Sequence, residues 1–111
     1  MSKRSEDLYI KDILDAIANI ERYTKGISFL RFSKDQMIID AVVRNFEIIG
    51  EAANKLSVKT KSVSSDIPWD DVVGMRNKII HEYFGVDLEI IWQTIKESLP
   101  IFKRVMKKII K

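Results

Sequence analysis

Apolar residues recur with helical spacing along nearly the whole chain. Ile10, Ile13, Leu14, Ile17 and Ile20 share one stripe of a first helix expected from about Glu6 to Tyr23, with Gly26 as its stop. Lys25 to Phe32 then reads as a loop with exposed aromatics. Ser33-Lys34-Asp35-Gln36 has the spelling of a capping box and predicts a second helix reaching about Leu56. Ile38, Val42, Phe46, Ile49 and Ala53, with Ala41, Ile48 and Ala52 beside them, cover more than half of that helix. A helix so apolar packs on two sides, which places it at the centre of the fold. Its remaining stripe carries Asp40, Arg44, Glu47, Glu51 and Asn54.

Val58 to Asp66 is polar and rich in Ser and Lys, as a loop would be. Ile67-Pro68-Trp69-Asp70 opens a third helix that ends near Phe84-Gly85. Asp87 caps a last helix bearing Leu88, Ile91, Trp92, Ile95, Leu99, Phe102, Met106 and Ile109. Pro100 interrupts this helix, yet the apolar stripe keeps its register and the ring points to the polar side. A kinked continuation is expected, with a clean break into two helices as the alternative. The elements add up to an all-α fold, a four- or five-helix up-down bundle formed by residues 1–111 as one domain.

Composition narrows the chemistry. With 46% hydrophobic residues the chain can bury a core, and 32% charged residues keep its surface wet. The absence of cysteine removes disulfides and thiol catalysis and suits a reducing cytoplasm. No apolar run reaches membrane-spanning length, and Met1–Asp12 is too charged for a secretion signal, so a cytoplasmic protein with no membrane partner is expected. The net charge of +3 is unevenly placed: residues 103 to 111 hold Lys103, Arg104, Lys107, Lys108 and Lys111 without an acid, leaving −2 on the rest. The plainer reading is a solvated helix end complementing its own dipole; a basic end can also attract a phosphate backbone.

The third helix holds the informative stretch. Val72, Val73, Ile79, Ile80 and Tyr83 form its apolar face, and Arg76 stands in the middle of it. A guanidinium on a core-facing stripe costs several kcal/mol unless it is paired or lies in a wet cleft. Gly74, Asn77 and His81 form a second stripe. Asn77 and His81 are one turn apart, so the amide can orient the imidazole, the only one in the chain. Gly74 permits a close approach by another backbone or a nucleotide. Taken alone, these residues also allow a structural reading. His81 would then complement a helix C-terminus, Arg76 would pair with Glu47 or Glu51, and Tyr83 would be core with its hydroxyl at the rim.

Arg76, four residues, His81, one residue, Tyr83 spells R-x4-H-x-Y, the signature carried by ribonucleases of the HEPN superfamily. Ile48-Ile49-Gly50-Glu51-Ala52-Ala53 with Leu56-Ser57, Ile67-Pro68-Trp69, and Gly85-Val86-Asp87-Leu88 with Ile91-Trp92 resemble the phrasing of HepT-like toxins within it. The resemblance spans roughly residues 6 to 105. It implies a HEPN-type bundle and a partner of the minimal nucleotidyltransferase (MNT) antitoxin type.

It also implies metal-independent cleavage of RNA, with no cofactor. RNA brings its own nucleophile, the 2′-hydroxyl. His81 is then the candidate base and Arg76 the phosphate clamp, with Asn77 supporting, Glu47 and Glu51 a more distant shell, and a 2′,3′-cyclic phosphate as product. In the family the tyrosine at the position of Tyr83 is the AMP acceptor. No metal site competes, because there is no second His and the Glu47/Glu51 pair has no acidic partner stripe. Arg76 and His81 lie about 140° apart around a helix and about 7.5 Å along it, so one helix aims them differently. Two motif helices facing across a two-fold axis would bring both pairs to one cleft, so a two-fold homodimer with a composite site is expected. The competing expectations are a non-catalytic HEPN module binding a nucleotidyltransferase or nucleotide, and a helical adaptor docking a protein through Phe29, Phe32 and the basic tail.

Overall fold

Ser5 opens the first helix by accepting a hydrogen bond from the Asp7 amide, and the acids Glu6 and Asp7 in the first turn suit the positive end of the helix dipole. A computed structural model describes residues 5–62 and 88–110, and all of its elements are helical. They are α1 (Glu6–Thr24), α2 (Phe29–Lys34), α3 (Gln36–Asn54), α4 (Val58–Ser62) and α5 (Leu88–Gln93), then a π-helical turn (Thr94–Ser98) leading into α6 (Leu99–Ile109). The expected third helix, the Asp87 cap and Lys111 lie outside the described residues.

The α1 stripe is buried as its period requires: Ile10, Ile13, Ala16, Ile17 and Ile20 are closed to solvent. Each isoleucine so buried contributes about 1.5–3 kcal/mol. The helix packs against both α3 and α6. Its start lies beside the end of α3, where Glu6 accepts from the Ser57 amide and the Thr60 hydroxyl, and its end lies beside the start of α6, where Lys103 meets Glu21 at 2.9 Å. Both neighbours therefore run antiparallel to α1. The apolar arc expected on α3 is buried, with Ile39, Val42, Val43, Phe46, Ile49, Ala52 and Ala53 in the core, and among the described elements this helix packs on α1 and α2.

The connection between α1 and α3 differs from expectation. Lys25 (φ −62°, ψ 127°) and Gly26 (φ 76°) form the centre of a tight turn closed by the Ile27 amide on the Thr24 carbonyl at 3.4 Å. Positive φ at the third position of a turn of this shape is the glycine position of type II. The chain then enters α2, capped by Ser28, where a loop was expected. Phe32 is not exposed but fully buried, and Phe29 is half-buried. Six residues are too few for a visible helical period, and burial of Phe32 holds the turn in place.

The cap of α3 is also displaced from the expected box. Asp35, not Ser33, accepts from the Ile38 amide at 3.1 Å, while the Ser33 hydroxyl donates to the Leu30 carbonyl inside α2. Ser/Thr, Asp and Asn cap by the same chemistry, so two candidates two residues apart could not be separated by spelling. Beyond Asn54, Val58–Ser62 winds into a short helix where a loop was expected. Ser57 caps it, its Oγ accepting from the Thr60 amide at 3.0 Å.

Pro100 neither ends the last helix nor sits in a simple kink. Helical backbone runs through Gln93, Ser98 and Leu99, and the turn before the proline widens so that the Leu99 amide donates to the Thr94 carbonyl. Proline has no N–H for the Lys96 carbonyl, and the extra residue in a π-turn absorbs that mismatch while Leu99, Phe102 and Met106 stay in the core. The continuation expected from the unbroken apolar register is observed.

Candidate active site

Arg76, Asn77, His81 and Tyr83, together with Gly74, lie outside the described residues. The described part of the expected site is the polar stripe of α3. At about 100° per residue, Asp40, Arg44, Glu47, Glu51 and Asn54 fall within an arc of about 80°, and the buried residues take the opposite half. Arg44 donates to Glu47 at 3.3 Å. The guanidinium is 63% exposed and the carboxylate 25%, so this pair adds at most about 1 kcal/mol to stability. Glu51 is exposed one turn further on. Glu47 therefore already has a cation on its own helix, one the sequence placed on the same stripe without pairing the two.

Two features near this frame were not read from the sequence. Asn45 is buried in the contact of α1 with α3, where it accepts from Asn19 at 3.1 Å and donates to the Ala41 carbonyl at 2.8 Å. Arg22 in turn donates to the Asn19 side-chain Oδ1 at 3.1 Å. The signal was present, since Asn45 is polar at a position inside the apolar arc of α3. A satisfied buried amide pair fixes register rather than chemistry.

The second feature is a cavity of about 430 Å³ lined by Phe29, Glu89, Trp92, Gln93, Lys96 and Glu97. Trp92 packs on Phe32 with ring centres 5.1 Å apart and on Phe29 at 6.1 Å. Lys96 lies 4.6 Å over the Trp92 ring, and Gln93 donates to Glu97 at 3.0 Å. The π-turn supplies Lys96 and Glu97, so the distortion before Pro100 shapes this opening. Among the described residues, no three His, Cys, Asp or Glu side chains group as a metal site would require, and no helix is long and apolar enough to cross a membrane.

The described residues define an all-helical protein built on an antiparallel α1–α3 pair closed by a long C-terminal helix. The model of the ribonuclease HepT-like family matches residues 13–109. A protein of Thermococcus cleftensis named "Probable ribonuclease HepT" is 42% identical over 107 residues, covering 96% of this chain and 97% of that relative. A "Putative RNase" of Caldanaerobacter subterraneus subsp. tengcongensis is 42% identical over 102 residues, covering 92% of this chain and 91% of its own length. Another of that description from Methanocaldococcus jannaschii is 38% identical over 104 residues, covering 94% of this chain and 95% of its own. No solved structure matches the chain significantly. The chain belongs to the ribonuclease HepT-like family.

Proposed function

We propose that this chain is a metal-independent endoribonuclease in which His81 takes the proton from the RNA 2′-hydroxyl and Arg76 holds the phosphate under attack. Family membership supplies the ribonuclease class. The observation that carries the finer reading is R-x4-H-x-Y at Arg76, His81 and Tyr83, inside the span 13–109 matched by the family. A neutral imidazole near pH 7 is a suitable base, and a guanidinium fork suits the doubly anionic character that develops at the phosphorus. Attack by the 2′-oxygen forms a bond to phosphorus as the 5′-oxygen leaves, so the products are a 2′,3′-cyclic phosphate and a 5′-hydroxyl end.

The working unit is a homodimer, because one helix points Arg76 and His81 in different directions and a two-fold partner supplies the complement. This reading puts Gly74 at the contact of the two motif helices. A Gly74→Trp variant that remains dimeric and active contradicts that packing.

The biological setting is a toxin-antitoxin pair in the cytoplasm, with an MNT-type nucleotidyltransferase as antitoxin. AMP attached to Tyr83 would fill the anion site with phosphate and repel the substrate. Intact mass after incubation with such a partner and ATP gains one AMP in the wild type and none in Tyr83→Phe; an unshifted wild-type mass contradicts it. The ribonuclease mechanism itself is tested by digesting RNA in EDTA and analysing the ends by mass. Cyclic phosphate termini are expected, and 3′-hydroxyl termini contradict 2′-oxygen attack.

A further inference from the structure

The sequence left the basic C-terminal segment between two readings, and the placement of its cations on α6 bears on both. On α6 the buried residues Leu99, Phe102 and Met106 mark one side, and the cations occupy another. At about 100° per residue, Lys103, Arg104, Lys107 and Lys108 span an arc of about 140°. The helix carries no acid of its own. Lys103 is neutralised by Glu21 on α1 at 2.9 Å, which fixes the edge of the basic face against the body of the protein. Arg104, Lys107 and Lys108 are exposed and make no ion pair among the described residues.

The helix dipole explains only part of this. Its effect fades beyond the last turn, so it accounts for Lys107 and Lys108 and not for Arg104, which lies about 7.5 Å before the end at Ile109. Arg104 and Lys108 are four apart, as are Lys103 and Lys107, and like charges at that spacing oppose helix formation. A ligand with regularly spaced negative charge relieves that repulsion along the whole face. A bilayer would also need a continuous apolar face on the same helix to insert, and on α6 Leu99, Phe102 and Met106 are turned into the core, which leaves Ile101 as a single large apolar side chain exposed there.

We propose that Arg104, Lys107 and Lys108 form a track for the sugar-phosphate backbone of the RNA substrate. This rests on the ribonuclease reading for the identity of the polyanion, not for the existence of the track. The recognition is of phosphate and carries no base preference, since each cation meets a backbone charge.

The test measures binding of the full chain to a fluorescent, mixed-sequence 2′-O-methyl oligoribonucleotide, which lacks the free 2′-hydroxyl and stays intact. Anisotropy titrations over a series of KCl concentrations give the slope of log affinity against log salt. The variant Arg104→Gln/Lys107→Gln/Lys108→Gln keeps good helix formers on α6, and circular dichroism checks its helix content. Three lost phosphate contacts should flatten the slope by about 2. The comparison variant Lys34→Gln/Lys55→Gln/Lys59→Gln removes the same charge from exposed sites elsewhere and should leave the slope within about half a unit.

An unchanged slope in the α6 variant overturns the track, as does equal flattening in the comparison variant. Binding to phosphatidylserine vesicles through these three residues without oligonucleotide binding also overturns it. If the wild type binds the oligonucleotide through α6 yet cuts no RNA, the track stands and the ribonuclease mechanism falls. If it cuts RNA and the α6 variant binds as tightly as the wild type, the reverse holds.

Discussion

Asn19 on α1 and Asn45 on α3 share a hydrogen bond of 3.1 Å inside the largest helix contact among the described residues. The apolar stripes around them would tolerate sliding by a turn, because isoleucine meets isoleucine or valine in several registers. The amide pair tolerates one register, in which Asn45 also reaches the Ala41 carbonyl on its own helix.

Replacing Asn45 with alanine should therefore destabilise the fold by about 1–3 kcal/mol, because the Asn19 amide loses its partner at a half-buried site. The Asn19→Ala/Asn45→Ala double variant should cost less than the two single changes added together. Urea midpoints of the four proteins measure both. Simple additivity would mean that the two amides act independently.

Glu6 links the start of α1 to the turn after α3, and its pH dependence has a definite sign. The hydrogen bond from Thr60, and then that from the Ser57 amide, hold its carboxyl below the ordinary range. A lowered folded-state pKa means that the link contributes stability above the ordinary carboxylate range and loses it as pH falls through the depressed value. The gap in urea midpoint between wild type and Glu6→Gln should be full at neutral pH and close in acid. A gap that widens as pH falls would contradict this.

Gly26 has open space where a Cβ would stand, so only its φ of 76° restricts it. Gly26→Ala should lower stability by about 1 kcal/mol through backbone strain alone. Gly26→Asn should lose less, because asparagine tolerates that region. Thermal melts of the two variants test this, and equal losses would point to a different cause.

Long amphipathic elements were legible because many residues vote for one answer. The α1 stripe from Ile10 to Ile20 and the buried half of α3 follow from spacing alone. Short elements escaped for the opposite reason: α2 has six residues and depends on Phe32 reaching the core beside Trp92, a contact between positions 60 residues apart in sequence. The cap of α3 was legible in kind and wrong in place, since Ser33 and Asp35 offer the same acceptor chemistry. At Pro100 the unbroken register foretold continuity, while the π-turn that makes it possible leaves no mark in residue type. For the candidate site, R-x4-H-x-Y is the sequence's own expectation, and its residues lie outside the described ones. Local spelling carries no information on how two copies meet, and it did not reveal that Glu47 pairs with Arg44.

The central claim is that His81 performs the proton transfer that starts RNA cleavage. Its most direct test compares initial rates of RNA cleavage by wild type and His81→Ala in EDTA near pH 7, with helix content matched by circular dichroism. A base of this kind contributes about 10²–10⁴-fold, and the variant should lose a rate factor in that range. Equal rates from the two proteins would contradict the account.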